Sequence, residues 1–369
     1  MKAVALYPAE KRVAVVDQEA PARTSETAVR LRMLDVGVCG TDAELCSFQY
    51  GEPPAGAPAL VLGHEALGRV VEVGAEVRTL AVGDLVVPMV RRPCPREDCP
   101  ACRSGNQDFC QTGEYTERGI KGADGFLAEE VVEEERYLVP VPAELREVAV
   151  LTEPLTIAEK ALRQYADVQR RLPWGSSKSD DELLVGLRAV VLGAGPVGIL
   201  GCMLLRLRGV ETVVYSRSAK PNAKAALVER VGARYVSSEE EPFADLARRI
   251  GGVDLVYEAA GASQLAFDAL PHLAANGVFI FTGVPGRKQR IEVAGDAIMK
   301  NVVLQNQAIV GTVNASRGDF ERAVADLGEC LRRWPDETRS IITGRFPMAA
   351  FCEQAGSHEG IKRVIEVGA

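Results

Sequence analysis

Apolar residues change their rhythm midway along this chain. Through the first 150 residues, short Val-rich runs at 29–34, 68–73 and 85–90 alternate with Gly and Pro turns, the pattern of irregular antiparallel sheet. No long amphipathic run interrupts them. From Leu187 onward, strand-length runs at 189–192, 212–215, 255–258 and 277–282 alternate with helix-like segments at 197–207, 221–231 and 262–273. That alternation predicts a doubly wound parallel sheet. Residues 170–181 (RRLPWGSSKSDD), rich in Pro, Gly, Ser and charge, read as a surface excursion near the domain boundary. After Asn314, a helical segment at 320–333 and a strand-like end at 362–367 are expected to return to the first domain. The chain is therefore expected to be α/β, with a β-rich domain over 1–185, completed by 315–369, and a parallel-sheet domain over 186–314.

Length agrees with two domains, since 369 residues exceed one ordinary core. A net charge of -8, with 43 Lys and Arg spread along the chain, leaves no basic footprint for nucleic acid or an anionic membrane. Small-molecule partners are expected instead. The opening run 1–6 is strand-like and is followed by Pro8, Lys11 and Arg12, so no secretory signal is expected. The longest apolar stretch, 189–205, contains Gly193, Gly195, Pro196, Gly198 and Gly201, which suits a buried strand, turn and helix rather than a membrane span. Of nine cysteines, four crowd into 94–110, which favours metal binding in a reducing cytoplasm over disulfides.

Gly193-Ala194-Gly195-Pro196-Val197-Gly198 places G-x-G-x-x-G after a predicted strand and before a predicted helix. There the backbone can approach a pyrophosphate at the helix N-terminus, which makes this a Rossmann dinucleotide site. The following strand ends Tyr215-Ser216-Arg217 where an NAD enzyme presents Asp or Glu. Ser216 lacks the charge that repels a 2′-phosphate, and Arg217 offers donors to bind one, so NADP is favoured, with NAD possible. An exposed Arg with no ligand remains the competing reading.

Cys94-x4-Cys99-x2-Cys102-x7-Cys110 supplies four thiolates on a proline-rich loop. Four sulfurs close a tetrahedral zinc site and leave no place for substrate, so this site is expected to be structural. A second set is dispersed: Cys39 in Cys-Gly-Thr-Asp, His64 in Gly-His-Glu, and Glu153 in Thr-Glu-Pro. One thiolate, one imidazole and one carboxylate leave an open position, as a catalytic zinc needs. Spacing alone does not bring them together, and each by itself also reads as a core Cys, a turn His or a surface Glu.

Cys39-Gly40-Thr41-Asp42, Gly63-His64-Glu65, the four-cysteine loop and the late Rossmann motif follow the order of the zinc-containing medium-chain dehydrogenases. The resemblance covers essentially the whole chain. Residues 86–93 (VVPMVRRP), 117–120 (ERGI), 151–160 (LTEPLTIAEK) and 310–314 (VGTVN) resemble more narrowly the archaeal-type glucose 1-dehydrogenases. The resemblance implies a GroES-like fold for the first domain and a zinc-dependent, NADP-preferring oxidation of the C1 hydroxyl of glucose or a related aldose. It implies a catalytic zinc held by Cys39 and His64 and, directly or through water, by Glu65 and Glu153, with Thr41 relaying the released proton. Glu117, Glu153, Asn306 and Asn314 are implied near the sugar. Thr282, Gly283, Val284, Thr312 and Asn314 are implied at the cofactor beside the glycine motif, Ser216 and Arg217. It further implies two zinc ions per chain and a homodimer or homotetramer paired through the sheet edge. The alternatives are a dehydrogenase of another polyol or secondary alcohol, and a zinc- and NADPH-binding protein without turnover. The latter has no need of Cys39, Thr41, His64 and Glu153 together.

Overall fold

The computed structural model describes residues 1–286, 290–357 and 359–368. The chain forms two compact units. One comprises Met1–Thr156, Asn314–Leu331 and Thr338–Ala369, the other Ile157–Val313 and Arg332–Glu337.

The first unit is built around β1 (Ala28–Val38), an eleven-residue strand whose mostly buried side chains mark a central position. It pairs antiparallel with β2 (Glu65–Val73) on one side. On the other it pairs with β9 (Lys362–Glu366), which arrives from the far end of the chain. Register sets Gly37 opposite both Glu65 and Val364, so residues distant in sequence meet at one point of the sheet. A helix, α1 (Gly40–Cys46), leaves the end of β1. Its Leu45 joins Val36, Val38, Leu62, Ala66, Phe126 and Ile365 in a buried apolar core.

In the second unit, a six-stranded sheet comprises β3 (Arg188–Leu192), β4 (Glu211–Ser216), β5 (Arg234–Ser237), β6 (Val253–Glu258), β7 (Leu273–Phe281) and β8 (Ala308–Gly311). Its spatial order is β5-β4-β3-β6-β7-β8, and every pairing is parallel. That is the doubly wound Rossmann arrangement, with the reversal of strand order at β3. Ala189, Val190, Val191 and Leu192 are wholly buried, as the central strand of a sheet covered on both faces requires.

The unit boundary falls earlier than the expected residue 185. The helix α2 (Thr152–Gln169) leaves only its first turn in the first unit. The remainder belongs to the second unit, with Ala158, Ala161, Tyr165 and Ala166 buried. Gln169 also donates to the carbonyl of Asn276 in β7 at 3.0 Å. The polar stretch 170–181 is thus an excursion inside the second unit rather than its edge. Residues 332–337 also return there, with Arg230 Nε bonded to Glu337 Oε1 at 3.0 Å.

Candidate active site

Cys39 sits where β1 ends and caps α1. Its backbone N–H donates to Asp42 Oδ2 at 2.8 Å, the reciprocal half of a capping arrangement that places an acid in the first helical turn. The other carboxylate oxygen, Oδ1, faces His64 Nδ1 at 3.6 Å. Both atoms are buried, and among the described residues neither has a hydrogen-bond partner. This leaves His64 Nε2 turned to Cys39 Sγ, 3.1 Å away. A carboxylate behind one imidazole nitrogen is how proteins orient a metal-binding histidine.

Glu65 opens β2 beside His64. A Cβ at Gly37 would collide with the Glu65 carboxylate and lie 2.9 Å from Lys362 Cε, so glycine makes room for a buried Glu65–Lys362 ion pair. The Lys362 ammonium also donates to the Val38 carbonyl at 3.0 Å. One ligand atom each from Cys39, His64 and Glu65 falls within a 4.8 Å group. Burial would lower the His64 pKa, but the surrounding anionic groups, Cys39, Asp42 and Glu153, outweigh it and raise the pKa well above 6.5. Burial likewise pushes the Cys39 thiol up, against the pull of His64. A buried set of sulfur, nitrogen and oxygen donors with more negative than positive potential fits a divalent zinc-like ion with one position left open.

Glu153, in the first turn of α2, stands outside this ligand group. Desolvation, reinforced by Glu65, lifts its pKa to about 7, so it belongs to the same electrostatic field. Thr41 is half-buried on the first turn of α1.

Cys94, Cys99, Cys102 and Cys110 also bring their sulfurs within 4.8 Å of one another. The Cys94 N–H points at Cys102 Sγ at 3.4 Å. Burial raises Cys102 to about 12, whereas Cys110, despite its own desolvation, is drawn to about 6 by hydrogen bonds from Thr112 and its neighbours. Four sulfurs this close repel one another once deprotonated unless a cation joins them, and the sulfur set fits zinc in a closed tetrahedron.

Glu117 is buried. Arg91 Nε and Nη2 donate to its Oε1 at 3.1 and 2.9 Å, and Asn314 Nδ2 donates to the same oxygen at 2.7 Å. The loop after it packs on the His64 loop: Gly119, with φ +74°, has no room for a Cβ against the Gly63 carbonyl. Only glycine allows two backbones this close, and the contact brings Glu117 to the side of the His64 cluster.

In the second unit the three motif glycines have separate reasons. Gly193 turns with φ +105° and its N–H donates to Tyr215 O at 2.8 Å. Gly195 precedes α3 (Pro196–Leu207) and has open space where a Cβ would stand, while a Cβ at Gly198 would strike the Gly193 carbonyl. Pro196 and Val197 form the first helical turn, Pro being well suited there because its missing N–H has no helical partner. The open side of Gly195 and the N-terminus of a twelve-residue helix form a cradle suited to a pyrophosphate. Ser216 ends β4, and Arg217 follows, exposed. Among the described residues the Arg217 side chain has no hydrogen bond or ion pair to protein. Thr282 donates from Oγ1 to Glu258 O at 2.7 Å, and Gly283 donates to the Glu258 carboxylate at 3.2 Å. Val284 is exposed, and the buried Thr312 Oγ1 lacks a partner among the described residues. All of these lie at the carboxyl ends of parallel strands, where doubly wound folds bind ligands.

Residues 146–367 match the family described as glucose dehydrogenase C-terminus, and residues 25–143 match the alcohol dehydrogenase GroES-like domain. The glucose 1-dehydrogenase of Methanocella arvoryzae is 39% identical over 100% of both chains. That of Thermoproteus tenax is 39% identical over 92% of this chain and 91% of its own. This chain belongs to the glucose 1-dehydrogenase family. A solved structure of the Haloferax mediterranei glucose dehydrogenase, in complex with NADP, Zn and gluconolactone, is similar with a TM-score of 0.87. It is 33% identical, with 99% of each chain covered.

For a member of the glucose 1-dehydrogenase family, one expected position needs correction. Asn306 lies in the exposed turn before β8, with φ +49°, and its carbonyl accepts from Arg171 Nη2 at 2.6 Å. That is the amino end of a parallel strand, opposite the end that carries Thr312. Asn tolerates the left-handed backbone this turn needs. Three participants escaped sequence reasoning. Asp42 stood three residues after Cys39, the spacing of a helix cap, and that signal could have found it. Arg91 and Lys362 carried no local signal, because a basic residue in a strand reads as solvent-facing until its buried carboxylate partner is located.

Proposed function

We propose that this chain catalyses the NADP-preferring oxidation of the C1 hydroxyl of D-glucose or a related aldose to the aldonolactone. The observation that carries this reading is the buried Arg91–Glu117–Asn314 network beside the Cys39, His64 and Glu65 donors. A simple alcohol gives such polar groups nothing to do, whereas a polyol satisfies them. Cys39, His64 and Glu65 would hold the catalytic zinc, with Glu153 adding negative potential and reaching the ion directly or through water. Zinc there supplies Lewis acidity that lowers the pKa of the C1 hydroxyl.

The protein's own groups do the rest. Asp42 holds His64 in the orientation that presents Nε2, and Lys362 restrains the Glu65 carboxylate. Thr41 takes the proton leaving the C1 hydroxyl and passes it on. Glu117, clamped by Arg91 and Asn314, accepts hydrogen bonds from sugar hydroxyls and fixes which face of the ring is presented. Gly193, Gly195 and Gly198 admit the dinucleotide backbone, Arg217 binds the 2′-phosphate that Ser216 leaves unopposed, and Thr282, Gly283, Val284 and Thr312 line the nicotinamide end.

The four-cysteine loop would hold a second, structural zinc. The unpaired edge of β8 and the adjoining helix α4 (Gly295–Leu304) support a homodimer or homotetramer. Met299, Val303 and Leu304 are each more than two-thirds exposed there, and Ile309 stands out on the edge strand. An exposed apolar edge of this kind is normally covered. No described helix is long and apolar enough to cross a membrane, which supports action in the cytoplasm.

NADPH formation measured over a panel of aldoses, polyols and secondary alcohols tests the reading. The highest kcat/KM is expected with glucose or a close aldose epimer. A preference for an acyclic polyol or a simple secondary alcohol would overturn it in favour of the other dehydrogenase reading.

A further inference from the structure

Two cysteines outside both metal sites face each other. Cys46, the last residue of α1, places its Sγ 2.7 Å from the Sγ of Cys352, the second residue of α5 (Phe351–Gly356). Both belong to the first unit. That separation is well inside ordinary sulfur contact and about 0.7 Å beyond a covalent S–S bond. The helices around them are held from behind: Leu45 precedes one cysteine, Phe351 and Ala355 flank the other, and all three lie in the same buried core. Neither residue is fully buried, which leaves the pair open to a small reagent. Cys202 and Cys330, in contrast, are sealed in the interior.

We propose that Cys46 and Cys352 are a redox modification site that forms a reversible intramolecular disulfide by exchange with a low-molecular-weight disulfide. The two residues are 306 positions apart, so the bond ties α1 to the C-terminal segment that enters β9. It also anchors the helix whose first turn follows Cys39, because Cys46 lies one turn beyond Asp42 on the same face.

The hydrogen bond between the sulfurs assigns the roles. It pulls the Cys352 thiol below its ordinary value and pushes Cys46 above. Cys352 is therefore the attacking thiolate. Its sulfur forms a bond to one sulfur of the reagent as the reagent's S–S bond breaks, and one reagent thiolate leaves with the proton Cys352 gave up. Cys46 then loses its proton and attacks the Cys352 sulfur, and the second reagent thiol departs carrying that proton. Two protein thiols are oxidised, and one reagent disulfide is reduced to two thiols. In a reducing compartment the pair rests as thiols, and the disulfide forms when the thiol pool is oxidised.

The test uses the full-length, zinc-loaded protein incubated with oxidised glutathione, followed by non-reducing digestion and mass analysis. The expected product is a Cys46–Cys352 cross-linked peptide, with the intact protein lighter by about 2 Da and free of glutathione. Closing so long a loop should raise the unfolding midpoint by about 5 °C, and dithiothreitol should return it. In Cys46→Ser, glutathione should remain trapped on Cys352. In Cys352→Ser, the cross-link and the thermal response should both vanish. The proposal is overturned if the unmodified protein carries stable glutathione on either cysteine without the cross-link. It is equally overturned if cross-links are confined to the Cys94–Cys110 loop, or if the thermal response survives in both variants.

Discussion

The two candidate metal-binding regions of the first unit are built in opposite ways. The four-cysteine loop draws every donor from seventeen consecutive residues, so a short segment and its turns bring the sulfurs together. The Cys39–His64–Glu65 cluster needs the end of β1, the start of β2 and the buried Lys362 of β9, which meet only because Gly37 pairs with both neighbouring strands. A local site is held by the ion it binds and lends that binding energy to its loop. A dispersed site is held by the sheet, and the sheet has no need of the ion. The difference separates the consequences of damage: loss of a local ligand costs stability, and loss of a dispersed one costs chemistry.

Cys39→Ser should break the comparison most sharply. Turnover is expected to fall by roughly a thousand-fold, the equivalent of about 4 kcal/mol of lost transition-state stabilisation. Metal analysis should find one zinc where the unmodified chain holds two, while NADPH binding and the melting temperature stay close to their original values. Near-normal turnover in this variant would remove Cys39 from the catalytic centre.

Cys102→Ser should do the reverse. Its zinc content is also expected to drop by one, but the unfolding midpoint should fall by about 10 °C because metal binding and loop folding are coupled. Activity per folded molecule, measured well below that midpoint, should stay within about two-fold of the original. A selective loss of kcat at full stability would show that the loop serves chemistry.

Arg217→Ala extends the contrast to the second unit, where a single strand-end residue acts locally. Losing a charge-assisted bond worth about 1.5 to 3 kcal/mol should raise the KM for NADP about 10- to 100-fold and leave NAD unchanged. Comparable efficiency with both cofactors before the substitution would sink the assignment.

Asp42→Asn is the finest test, since Asp42 joins the local half of the dispersed site to its distant half. The amide still accepts from the Cys39 N–H, so α1 should keep its cap, but it no longer offers charge to His64. An outer-shell loss of about 10-fold in zinc affinity is expected, with little change in stability. Zinc retention under a competing chelator measures it, and unchanged retention would confine Asp42 to capping.

Glu117 shows how the structure alters an experiment designed from sequence. Replacing it with Leu would leave Arg91 buried without its carboxylate, a loss of about 3 to 5 kcal/mol unrelated to substrate. Glu117→Gln, which keeps an acceptor toward Arg91 and Asn314, is the cleaner probe of sugar recognition.

What the sequence by itself determined were the features written in short spacings: the glycine turn before a helix, the four-cysteine loop, the uncharged Ser216 followed by Arg217, and the strand–helix alternation of the second unit. Each depends on chain geometry within a few residues, and spacing specifies that geometry. Cys39 and His64 could be brought together, and Glu65 named, only through a family resemblance, because no spacing predicts that residues 39 and 64 meet. Only the tertiary structure decided that Lys362 and Arg91 neutralise buried carboxylates, that Asn306 sits at the wrong end of its strand, and that α2 belongs mostly to the second unit. It also placed Cys46 against Cys352. Those outcomes depend on which strands pair and in what register, and a buried charge or thiol acquires its meaning only from the partner that long-range pairing sets beside it.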